Sequence, residues 1–215
     1  MEKRLIIIGA TPYGKVVCDA ALAQGEYTIV GFADDSLAPG TTVMGEYQVV
    51  ASLENIQNLP QLADYCIVAI EDNNDRERVF EIAIQHFKSA TVIHSSAVIG
   101  STVTLGEGSV VLANAVVNSS IGINTVVKPG VVIDHDCIIG NHVHLGTGTA
   151  VRSPHGTFGK SPLVVGDRYT TVGHTLQMLL PQPVSLKGKA KGLGMIIGVI
   201  FFIAFFTMLF LLIAQ

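Results

Sequence analysis

The stretch Ile133-Asp134-His135-Asp136-Cys137 sets an imidazole between two carboxylates. A carboxylate beside a histidine raises its basicity and stabilises the cation formed when the ring takes a proton, so His135 with Asp136 fits a general base. His142 and His144 follow within ten residues of His135. The same three rings are also of the type that binds Zn²⁺, with a histidine of a neighbouring chain completing the set, which would make a zinc-dependent hydratase of the carbonic-anhydrase type. The acid at Asp136 favours a base over a ligand, and no metal is expected.

A second group lies near the N-terminus, in Gly9-Ala10-Thr11-Pro12-Tyr13-Gly14-Lys15. A turn between a strand and a helix favours an anion, because backbone N–H groups and the helix dipole point at it. The spelling G-x-x-x-x-G-K approaches a P-loop, but Val16 stands where a hydroxyl would hold Mg²⁺. A dinucleotide fingerprint fails as well, since Thr11 replaces its middle glycine. Asp34-Asp35, at the end of the next apolar run, is placed to bind a ribose or sugar hydroxyl.

Two kinds of element must position these groups. Residues 1–90 alternate strand and helix: strands at Leu5–Ile8, Thr28–Ala33 and Tyr65–Ile70, helical stretches at Lys15–Ala23, Ser52–Gln57 and Asp75–Lys88, with a Gly- and Pro-rich loop before the second of these. This pattern predicts a small parallel sheet with helices packed on it, an α/β Rossmann-like domain. A strand at Ala90–Ile93 leads out of it, and the boundary falls near residue 91.

From there the chain counts in sixes. Aliphatic residues recur at Ile99, Leu105, Val111 and Val117, then at Ile121, Val127, Ile133, Ile139, Leu145 and Val151. A period of six fits neither an α-helix nor a hairpin meander; it predicts a parallel β-helix whose aliphatic residues point inward. His135 and Asp136 then fall on a corner of the outer wall, with His142 and His144 close to the same edge. One step, Val117 to Ile121, is four instead of six, and the count is lost after Val151, leaving a domain over 91–175 that is irregular beyond 151; Val165-Gly166 and Val172-Gly173 read as remnants.

The formal charge is −4 and no basic run precedes residue 187, which argues against nucleic acid. Cys18, Cys66 and Cys137 are odd in number and scattered, as free thiols of a reducing compartment are. The start MEKRLIIIGA is basic then apolar, but the apolar run is too short for a signal peptide. Residues 192–214 carry no charge and follow Lys187, Lys189 and Lys191. As a helix that stretch reaches roughly 34 Å, enough for a ~30 Å hydrocarbon core, and the lysines place the body on the cytoplasmic face of the inner membrane with a C-terminal single-pass anchor.

With these residues in view the chain resembles the hexapeptide-repeat sugar acetyltransferases, the branch typified by sialic acid O-acetyltransferases and the UDP-4-amino-sugar N-acetyltransferase of bacillosamine synthesis. The resemblance is carried by Leu5-Ile6-Ile7-Ile8-Gly9-Ala10, Gly14-Lys15-Val16-Val17, Asp34-Asp35 and above all Val132 to His144, and it covers roughly residues 3–151. It implies a left-handed β-helix assembled as a homotrimer, with active sites between neighbouring coils. It implies transfer of acetyl from acetyl-CoA to an amino or hydroxyl group of a UDP- or CMP-linked sugar, in surface glycan synthesis. By the same resemblance His135 is the base, Asp136 the acid that raises its basicity, and His144 a contact to acetyl-CoA. Thr11, Pro12, Tyr13, Asp34 and Asp35 fall where the family touches the nucleotide-sugar. Two departures stand out: the family writes Gly-His where this chain has Thr-Pro-Tyr, and it continues its coils well past the position of Val151. The rival reading is a catalytically impaired, membrane-tethered trimeric scaffold that binds sugar nucleotides.

Overall fold

The computed structural model describes residues 2–152 and the strand Leu163–Val165. The first part is a sheet of β1 (Arg4–Ile8), β2 (Thr28–Ala33), β3 (Thr42–Met44), β4 (Tyr47–Ala51), β5 (Tyr65–Val68) and β6 (Lys88–Ser89), in the order 3-4-2-1-5-6. All neighbours are parallel except the β3–β4 pair. The β1 run is buried on both faces, as a central parallel strand must be: Leu5 and Ile7 face helix α1 (Pro12–Gln24), while Ile6 and Ile8 join Val79 and Phe80 of α2 (Asn73–Ala83).

Several elements differ from expectation. Helix α1 begins at Pro12 instead of Lys15, because proline is preorganised for the first helical position. Helix α2 begins at Asn73, where the Asp72 side chain accepts from the N–H groups of Asn74 and Asp75, and it ends at Ala83. The Gly- and Pro-rich stretch contains the β3–β4 hairpin, and residues 53–61 form a 3₁₀ helix. The strand expected at Ala90–Ile93 is confined to β7 (Val92–Ile93), which opens the coil, and Lys88, expected to end a helix, instead lies in β6, which closes the sheet.

The second part is a parallel β-helix of three faces. The first face stacks β7, β9 (Val110–Val111), β11 (Val126–Val127) and β14 (His144–Leu145). The second stacks β8 (Val98–Ile99), β10 (Val116–Val117), β12 (Val132–Ile133) and β15 (Ala150–Val151). The third joins Leu105, Ile121 and β13 (Cys137–Ile139). Val92 pairs with Val110 and Val126 with His144, 18 positions apart, one coil of three hexads. Val110 pairs with Val126 at 16, so the four-residue step shortens one coil by two residues without breaking the stack. The inward aliphatics Val111, Val117, Ile121, Val127, Ile133, Ile139, Leu145 and Val151 form one buried core.

The coil also resumes after Val151. Strand β16 (Leu163–Val165) pairs in parallel with β13, and Ile139 meets Val165 at 26 positions, eight more than one coil. At Leu163–Val165 the chain is therefore back on the third face, where the sequence count shows only a remnant. No helix among the described residues is long and apolar enough to cross a membrane, and the apolar segment 192–214 lies outside those residues.

Candidate active site

His135 stands on the corner between the second and third faces, between β12 and β13. Asp136 takes φ 57° there, a left-handed turn that aspartate tolerates better than bulkier residues. Ser119, set in the short four-residue step one coil below, pins both ends of this corner. Its Oγ donates to the Asp134 carbonyl at 2.6 Å and accepts from the Cys137 N–H at 3.0 Å. Sequence reasoning passed over Ser119; the shortened step was the signal.

The ring of His135 is 59% exposed, with Nδ1 at 2.9 Å from Asp136 Oδ2 and Nε2 at 3.7 Å from Asp134 Oδ1. A carboxylate only accepts, so Nδ1 carries the proton and the basic lone pair of the neutral ring is on Nε2. The hydrogen bond to Asp136 first, then the charge of Asp134, raises the imidazole above its ordinary value. The pair thus has the tautomer and the basicity that proton abstraction requires.

His142 and His144 do not share this edge. His142 lies on the next corner, between the third and first faces, and is buried. Its ring meets Phe80 edge-on with centroids 6.1 Å apart, and its Nδ1 lies 2.9 Å from Asn124 Nδ2. It belongs to the seam where α2 docks on the coil. His144 occupies the outward position of the first face, in the column headed by Val92, Val110 and Val126. Those three valines are buried in the α1-side core, while His144 remains partly open. Its Nδ1 lies 3.2 Å from the Glu71 carbonyl, which again fixes the proton on Nδ1. Burial is the strongest influence on this ring and lowers its pKa, helped by the Lys128 and Arg76 cations against the Glu71 carbonyl.

Beside His144, Lys128 pairs with Glu71 at 2.7 Å and sets its Nζ 3.9 Å from the centre of the Tyr13 ring. Tyr13 is buried, its hydroxyl has no hydrogen-bond partner among the described residues, and burial pushes the phenol well above its usual range. Of the glycine-turn residues Thr11, Pro12 and Lys15 are exposed, while Tyr13 and Gly14 are buried. Gly14 is dictated by sterics: a Cβ there would lie 2.0 Å from the Gly9 carbonyl oxygen.

The two aspartates are already engaged. Asp34 is buried and accepts from the N–H groups of Ala10 and Ser36, both at 2.7 Å, and from the Ser36 hydroxyl. Burial pushes its carboxyl up, but these donors together outweigh it and hold the pKa below the ordinary value. Asp34 thereby clamps the glycine turn to the end of β2. Asp35 accepts from the Ser52 hydroxyl at 2.6 Å and the Leu53 N–H at 2.8 Å, fastening the start of the 3₁₀ helix. Among the described residues no three His, Cys, Asp or Glu side chains converge as a metal site.

Residues 4–83 match the PglD N-terminal domain family. Among solved structures the chain is similar to a histidine-to-asparagine mutant of perosamine N-acetyltransferase from Caulobacter crescentus in complex with CoA and GDP-perosamine. The identity is 34%, over 68% of this chain and 70% of that one, with a TM-score of 0.63. It is also similar to the acetyltransferase domain of PglB from Neisseria gonorrhoeae in complex with acetyl coenzyme A, at 28% identity over 79% and 88% of the two chains and a TM-score of 0.66. WeeI from Acinetobacter baumannii shares the fold at 24% identity, over 78% and 88%, with a TM-score of 0.61. No curated protein sequence matches the chain.

Fold and comparisons together define an acyltransferase that uses acetyl-CoA as its acetyl donor. More narrowly, the chain belongs to the hexapeptide-repeat sugar acetyltransferases, whose acceptors are nucleotide-activated sugars.

Proposed function

We propose that this acetyltransferase forms an amide on a nucleotide-linked amino sugar, with His135 as general base. The amine lone pair attacks the thioester carbonyl carbon, His135 Nε2 takes the N–H proton, and coenzyme A leaves as the thiolate, which regains a proton. Asp136 holds the ring in the required tautomer and stabilises the imidazolium. Such a transfer needs no covalent enzyme intermediate, only a positioned base and acceptor. The observation that carries the reading is the exposed His135–Asp136 pair at 2.9 Å on a rigid corner. The 34%-identical perosamine N-acetyltransferase was solved as histidine mutants with CoA and GDP-perosamine, which agrees with it.

His144 contacts acetyl-CoA in this reading, and Thr11, Pro12 and Tyr13 with the Asp34–Asp35 turn shape the nucleotide-sugar end. Residues 1–90 form the sugar-nucleotide domain and residues from 91 the acyltransferase coil, wound left-handed. His135 and His144 lie around different corners of one coil, so a site using both needs a second coil alongside, and the working unit is a homotrimer. Its support is the second face: Val98, Val116 and Val132 point outward there, with Val98 58% and Val132 43% exposed, while the next residue of each pair points inward. A solvent-facing sheet would alternate apolar and polar. Residues 192–214 anchor the chain to the cytoplasmic face of the inner membrane, on the support of their charge-free composition and the lysines before them.

The test is incubation of the full-length chain with acetyl-CoA and a panel of GDP-, UDP- and CMP-linked sugars, following free thiol. Thiol release with an amino sugar, and a product stable to hydroxylamine, is the expected result. Release only with hydroxyl acceptors would overturn the amide, and no acetyl-CoA binding by calorimetry would leave the scaffold reading in its place.

A further inference from the structure

Arg76, in the first turns of α2, is fully buried, and no carboxylate accepts a hydrogen bond from it among the described residues; Asp72 acts on it only through its charge. Its guanidinium is satisfied by neutral acceptors instead. Nη2 donates to Asn73 Oδ1 at 2.7 Å and to the carbonyls of His142 at 2.8 Å and Val143 at 3.3 Å. Nη1 donates to the carbonyls of Ile70 and Glu71, each at 3.2 Å, and Nε to that of Asn124 at 3.2 Å. A buried cation with no carboxylate in contact is a costly way to hold a fold, so its geometry calls for a reason. The fork joins four stretches: the loop after β5, the first turns of α2, and two successive coils.

Two of those segments meet at His144. The Glu71 carbonyl that accepts from Arg76 Nη1 also accepts from His144 Nδ1. The carbonyls that accept from Nη2 belong to the two residues immediately before His144. One guanidinium therefore grips both the backbone that carries the ring and the carbonyl that sets the ring's tautomer and tilt. We propose that Arg76 is a positioning residue for His144, through which the sugar-nucleotide domain fixes the acetyl-CoA end of the site. This inference rests on the reading of His144 as an acetyl-CoA contact.

The test is a double-mutant cycle of Arg76→Lys with His144→Ala in the full-length chain. It reads KM for acetyl-CoA, kcat and melting temperature. A lysine keeps the charge but reaches fewer of the six acceptors in the fork. Displacing a bound group by ~1 Å costs roughly a hundredfold, and a partial loss of the fork is expected to raise KM for acetyl-CoA about tenfold. That effect should vanish when His144 is already alanine, because Arg76 acts through it. Additive effects, or an Arg76→Lys change confined to melting temperature, would overturn the proposal while leaving His144 in place. A His144→Ala variant with unchanged KM would overturn the underlying reading instead. Should Arg76→Lys fail to fold, Asn73→Ala loosens the same Nη2 group, and the same cycle with it decides the matter.

Discussion

Two corners of one coil carry a histidine seven residues apart, and they have opposite fates. Both corners contain a residue in the left-handed region, Asp136 at φ 57° and His142 at φ 55°. At the first corner the ring of His135 faces solvent between two carboxylates. At the second, the ring of His142 is walled in by Phe80 and Asn124 beneath α2. The backbone device is the same; what differs is which face of the prism the N-terminal α/β domain covers. A repeat makes equivalent positions, and only the element docked on it makes them unequal.

The comparison breaks most readily at His135. His135→Ala is expected to lower acetyl transfer by about 10²- to 10⁴-fold, the range for a general base, with sugar-nucleotide binding and melting temperature unchanged because the ring is exposed. A loss below tenfold in initial rate of thiol release would place the base elsewhere. Asp136→Asn sharpens the same corner. It removes the negative charge behind the hydrogen bond that raises the ring's pKa, so the inflection of the pH–rate profile should move to lower pH, with a plateau about tenfold lower. An unmoved inflection would show that Asp136 does not tune the base.

The buried corner should respond in stability. His142→Ala leaves a cavity against Phe80 and takes a partner from Asn124, for about 1–3 kcal/mol. In a chain of this length that is a drop of about 2–4 °C per kcal/mol in melting temperature. Turnover per folded molecule should stay within about threefold. A hundredfold loss of turnover would erase the distinction between the corners. The smallest effect is expected at Asp35→Ala, where the two hydrogen bonds from Ser52 and Leu53 disappear from the start of the 3₁₀ helix at a cost of about 1 kcal/mol, readable by urea titration. A large loss of sugar-nucleotide affinity there would instead show that Asp35 meets the ligand.

Much of the coil was legible because its signal is periodic. The inward count from Val111 to Val151 coincides with the buried core, and the missing two residues between Val117 and Ile121 reappear as the pairing of Val110 with Val126 at 16 positions. Asp136 beside His135 was readable because adjacent residues on a tight corner must be neighbours. Contacts between distant segments were not. Arg76 and Arg78 share one charged stretch, Asn-Asp-Arg-Glu-Arg, yet Arg76 is buried across the coil and Arg78 merely pairs with Asp75 in solvent. Helical phase alone could have separated them, had the face covered by α2 been known. Tyr13 reads as a loop residue until Pro12 is recognised as the first helical position, which turns its ring inward. The β3–β4 hairpin escaped because its strands are short and its flanks rich in glycine and proline, which look like loop at every scale below the sheet.

The account stands on an exposed imidazole that takes the acceptor's proton. The direct measurement is the pH dependence of coenzyme A release from acetyl-CoA with a nucleotide-linked amino sugar, from about pH 5.5 to about pH 9. The rate should climb through an inflection above 6.5, the ordinary histidine value, because only the deprotonated ring can act, and the inflection should be absent in His135→Gln. A profile that keeps the same inflection and amplitude in His135→Gln would contradict it.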